Sequence, residues 1–189
     1  MKNIIRSLIL SLIGLGPLAT LSIIFIISMA VGLKANSGIS AYIGDYIINS
    51  ESLADAGDSF EDVSNYVFRF FRELNIALLS LTTIMTLGWS AWSHYLNIDA
   101  PGKAKIYFIH WTIFTGIFAV LLVAILLYFT QTTAYLAQQF LSGGGKTQII
   151  IGSLIFYILM YYAGVLLGTA RFARSSVLLA NKLPVSRFL

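Results

Sequence analysis

The sequence predicts an all-α membrane protein, a bundle of four transmembrane helices with one amphipathic extracytoplasmic helix in the first loop. Four stretches contain no charged residue: 7–33, 74–98, 106–145 and 147–170. Roughly 20 apolar helical residues cross the hydrocarbon core of a bilayer, so each stretch is long enough for one crossing. Only 11% of the residues are charged, whereas soluble domains contain about 25%.

One membrane domain is predicted for residues 1–189, because four spans and their connections use up the chain. The chain contains no cysteine, which excludes disulfides, thiolate metal sites and cysteine nucleophiles. The predicted parts are spans at about 7–33, 74–97, 106–130 and 147–170, an outer loop at 34–73, and a cytoplasmic amphipathic tail at 171–189.

The distribution of charge predicts the orientation of the chain. Seven of the eight acidic residues lie between positions 34 and 75. Cytoplasmic loops of membrane proteins carry an excess of Lys and Arg, so we expect both termini to lie in the cytoplasm. The expected location of the protein is a bacterial inner membrane. The net charge of +4 then reflects topology, and no nucleic-acid partner is predicted. The cations that flank the spans are Lys2, Arg6, Lys103, Lys105, Arg171, Arg174, Lys182 and Arg187.

Span 1 carries small residues on one helical face, among them Ser11 and Gly14. Small residues allow membrane helices to approach closely, so we predict a helix-packing face. Pro17 lacks a backbone N–H and predicts a bend near residues 13–17. A gating hinge at Gly16 and Pro17 is the less favoured alternative.

An amphipathic helix is predicted in the outer loop, just before span 2. Ser59 is a candidate N-cap, with Asp62 three residues later. An apolar stripe follows with helical spacing. We predict that this stripe docks a partner protein; the alternative is a helix that lies at the lipid headgroups. The docking residues are Phe60, Val63, Val67 and Phe70.

Span 2 is the most polar of the four predicted spans. Its hydroxyl side chains fall on one side of a helical wheel, and we predict that this side packs against neighbouring helices. The alternative is one wall of a polar pathway, which normally recruits ionisable residues at membrane depth; span 2 contains none there. The polar side holds Ser80, Thr83, Thr86, Ser90, Ser93 and His94, of which Ser80, Thr83 and Ser90 are the packing candidates.

Spans 3 and 4 also carry small residues. Thr115 and Ala119 form a small face on span 3, and Gly164 and Gly168 form a GxxxG pair on span 4. GxxxG pairs mark close helix packing. The sequence leaves open whether the packing partner is another span of this chain or a second protein. The glycines at 143–145 predict a flexible reversal before span 4.

The two histidines raise the question of a cofactor. His94 and His110 lie at similar predicted depth on adjacent spans, an arrangement by which four-helix proteins ligate b-type haem. Aromatic neighbours such as Trp92 and Trp111 instead favour an ordinary interfacial belt. We therefore predict neither a cofactor nor a metal site, and keep haem as the minor alternative.

Three functions are compatible with these features. The favoured one is a non-catalytic membrane subunit of a larger transport or secretion complex, which packs through its small-residue faces and docks partners by its outer loop. The second is a small transporter or channel subunit that uses the hydroxyl face of span 2. The third is a haem-carrying membrane anchor. The expected partners are membrane lipids and other membrane subunits, or a second copy of the chain; no catalytic residues are predicted.

Overall fold

The computed structural model describes residues 2–35, 60–93, 103–131 and 141–170, and the structural statements below refer to these residues. They form four helices: α1 (Lys2–Ala35), α2 (Phe60–Ser93), α3 (Lys103–Gln131) and α4 (Gly143–Ala170). Each helix contains a segment long and apolar enough to cross a membrane. This confirms the all-helical class and the four predicted membrane-spanning helices. The segments are Ile4–Ala30, Asn65–Ser93, Phe108–Gln131 and Gly143–Gly168.

Helix α2 begins well before the predicted span and joins two predicted elements, the amphipathic helix of the outer loop and span 2. It runs from Phe60 to Ser93 without interruption. No proline lies in this range and its first glycine is Gly88, so nothing breaks the helix. A separate amphipathic helix in the first loop is therefore not confirmed, and the predicted N-cap Ser59 lies outside the described residues.

Helix α4 begins with the glycines that predicted a flexible reversal, and that prediction is wrong at these positions. The Gly145 N–H donates to Ser142 Oγ at 2.8 Å, and the Lys146 N–H donates to the Ser142 carbonyl at 2.9 Å. Ser142 is thus the N-cap. The cap satisfies amide groups that would otherwise lack partners, which offsets the low helix propensity of glycine.

The four helices contribute segments to two compact units, and each unit draws on all four. Among the described residues, the first unit comprises those within Met1–Ala19, Ser80–Val120 and Tyr157–Leu189, and the second comprises those within Thr20–Leu79 and Leu121–Phe156. Large apolar side chains on α1 and α3 are exposed in both units, for example Ile13 at 58% and Val120 at 69%. In a membrane-spanning chain, such outward faces meet lipid.

Aromatic contacts hold α3 in the first unit. Trp89 of α2 packs beside Phe114 with ring centroids 5.6 Å apart. Phe118 stacks on Tyr161 of α4 at 4.4 Å with nearly parallel rings, and the Thr115 and Tyr161 hydroxyl oxygens are 3.4 Å apart. Offset stacking of this kind adds to the stabilisation that burial provides.

The interior of the second unit is built around the first half of α2. Val67, Phe70 and Leu74 are at most 3% exposed. Phe70 meets Phe129 of α3 edge to face, with centroids 6.2 Å apart. The Ser22 hydroxyl of α1 donates to the side-chain oxygen of Asn75, so a polar contact accompanies the apolar packing.

Candidate functional site

The small residues of α1, α2 and α4 meet inside the first unit at one place, which we call the small-residue junction. Its members are buried and come from positions far apart in the sequence. Helix spacing puts the α1 members on one face and the α4 members on one face. The junction comprises Ser7, Ser11 and Gly14 of α1, Ser90 of α2, and Gly164 and Gly168 of α4.

At Gly14, the backbones of α1 and α4 touch. A Cβ atom at Gly14 would lie 2.7 Å from the Ala163 carbonyl oxygen and 3.0 Å from the Gly164 Cα. Both atoms belong to the main chain and cannot move aside as a side chain can. The closeness of this crossing therefore requires glycine at position 14.

The GxxxG pair of α4 contacts both other helices of the junction. A Cβ atom at Gly164 would lie 2.6 Å from the methyl carbon of Thr86 and 2.9 Å from Leu15 Cγ. At Gly168 it would overlap the Ser11 hydroxyl and lie 2.7 Å from Ser90 Oγ. The sequence left the partner of this pair open; in the structure, α1 and α2 of the same chain occupy both positions.

Hydroxyl groups join the three helices across the junction. The Ser7 hydroxyl donates to the Gly168 carbonyl at 2.5 Å, and the Ser11 and Ser90 hydroxyl oxygens are 2.5 Å apart. A third bond lies within α2 and does not join helices: the Ser93 hydroxyl donates to the Ser90 carbonyl at 3.0 Å. Interhelical bonds of this type contribute roughly 0.6–2 kcal/mol each at membrane depth. These oxygens bond to neutral groups, an arrangement suited to cohesion between helices.

The other predicted packing residues lie away from the junction. Ser80 is exposed, while Thr83 and Ala119 are half-buried. Thr115 is also half-buried and faces the hydroxyl of Tyr161. The packing roles predicted for Ser80, Thr83 and Ala119 stay predictions.

The buried face of α2 mixes hydroxyl and apolar side chains, whereas the predicted packing side was defined by hydroxyl side chains alone. Thr82, Thr86 and Ser90 are fully buried. Leu78 and Met85 lie on the same face and are less than 10% exposed. Thr82 was missed as a packing residue. The signal that could have identified this face is the 3-4 spacing of buried positions, which continues from the apolar stripe at the start of α2.

Two of the four predicted docking residues are buried, and the side chains of the other two lie outside the described residues. Val67 and Phe70 are 0% exposed, and the Phe70 ring meets Phe71 at 5.3 Å. Neither side chain presents a surface to a partner, so their predicted docking role is not supported. The side chains of Phe60 and Val63 lie outside what the structure describes.

The histidines are not brought together among the described residues, because His94 lies outside them. The Nδ1–H of His110 donates to the Ile106 carbonyl at 2.8 Å, one turn earlier in α3. Its ring is half-buried and lies 6.4 Å from the Trp92 ring. No cluster of three metal-ligating side chains occurs in the described ranges. Haem ligation by His94 and His110 is therefore not tested and stays the minor alternative.

Comparison with known proteins adds no assignment: no family model matches the chain, and no curated protein or solved structure matches it.

Proposed function

We propose that this chain is a non-catalytic integral membrane subunit of a larger membrane complex, in transport or secretion machinery. One observation carries the proposal: in the small-residue junction, polar groups at membrane depth are engaged in helix packing. Ser7, Ser11 and Ser90 are all 0% exposed, and each makes an interhelical contact. Catalysis requires reactive groups that a substrate can reach, whereas a structural subunit requires rigid cohesion of its helices.

The same contacts weigh against a pathway wall in span 2. A wall presents its polar side chains to a water-filled space. The Ser90 hydroxyl instead meets Ser11, and the Thr86 methyl group approaches Gly164. Both contacts favour a packing function for these hydroxyl residues over the transporter or channel alternative.

Partner docking is proposed for the outer loop outside the described residues. The small-residue faces of α1 and α4 meet each other and α2, so they do not form a partner surface. The loop carries an apolar stretch at 41–48 followed by an acidic stretch at 50–59. Aromatic and apolar anchors beside charged groups are typical of protein interfaces.

The docking proposal is tested by co-purification after extraction in mild detergent. Replacing residues 41–58 with a Gly-Ser linker of equal length should abolish recovery of the partner subunits. Membrane insertion should stay unchanged, because the four described segments that are long and apolar enough to cross a membrane lie outside residues 41–58.

A scrambled version of residues 41–58 is the matched control, since it keeps length, charge and composition. Sequence-specific docking predicts that scrambling also abolishes partner recovery. If the Gly-Ser chain recovers the same partners as the wild type, the loop does not dock them. If no protein co-purifies with the wild type at a constant ratio, the subunit proposal itself fails.

The proposed orientation places both termini in the cytoplasm and residues 34–73 outside, in a bacterial inner membrane. Because the chain has no cysteine, a single introduced thiol reports one position without background. Ser52→Cys should react with a membrane-impermeant maleimide in intact cells. Ser186→Cys should react only after permeabilisation, and the reverse pattern would overturn the topology.

A further inference from the structure

We draw no further inference here: the strongest candidate, the outward face of α3 on which the small residues Thr112 and Gly116 are exposed, is a stripe of small residues on a membrane-spanning helix, and nothing in the described part of the chain shows what covers it.

Discussion

Gly168→Leu should destabilise the chain by about 3 kcal/mol or more, the upper range for forcing extra atoms into a packed interior. A Cβ atom at this position would overlap the Ser11 hydroxyl and lie 2.7 Å from Ser90 Oγ. The leucine would also separate Ser7 from the Gly168 carbonyl to which it donates. The measurement is a denaturant titration in detergent micelles, monitored by circular dichroism and by tryptophan fluorescence.

Two other membrane glycines serve as matched controls for this substitution. Gly116 of α3 and Gly152 of α4 are exposed, and a Cβ atom at either would meet nothing within 4 Å. Gly116→Leu and Gly152→Leu should leave stability unchanged or raise it, because leucine is the better helix former. If either control loses as much stability as Gly168→Leu, close packing at the junction is not the cause.

Phe70→Ala should cost about 3–5 kcal/mol, the usual range for removing a buried aromatic ring. Phe70 is 0% exposed and meets Phe71 and Phe129 edge to face, with centroids 5.3 and 6.2 Å apart. Losing the ring removes both contacts and leaves a cavity in the second unit. The same denaturant titration measures the loss.

Ile76→Ala is the control for Phe70→Ala, since Ile76 lies on the same helix and is 56% exposed. Position 76 faces lipid before and after the substitution, so the free energy of unfolding should fall far less than it does in Phe70→Ala. Phe70→Ala also distinguishes an interior position from a docking position. A variant with wild-type stability that no longer recovers its partners would contradict the buried placement of Phe70.

The sequence predicts the four helices well, because backbone groups at membrane depth must be satisfied within helices. The length of each stretch without charged residues is therefore enough to locate α1 to α4. The helix ends are less predictable: α2 begins at Phe60 and α4 at Gly143, each ahead of the predicted span. Those ends depend on caps such as Ser142 and on the absence of a helix breaker, and hydropathy does not measure either.

The junction could be predicted in part. Ser11, Gly14, Gly164 and Gly168 were recognised because small side chains permit close approach, and the structure places all four at the junction. Their pairing could not be predicted, since it depends on how three helices cross. Ser80 was placed on the packing side and is exposed. In lipid, polarity does not decide which face of a helix turns inward, so hydroxyl periodicity is a weak guide.

The contact between Ser7 and Gly168 spans 161 positions of the chain, which has a consequence for biosynthesis. Ribosomes deliver the chain from its N-terminus, so α1 and α2 enter the membrane while the residues that close their junction are still untranslated. Before α4 is inserted, the face of α1 that carries Ser11 and Gly14 lacks its packing partner. A chain truncated before residue 164 should therefore persist as inserted but loosely associated helices, a ready substrate for membrane quality-control proteases.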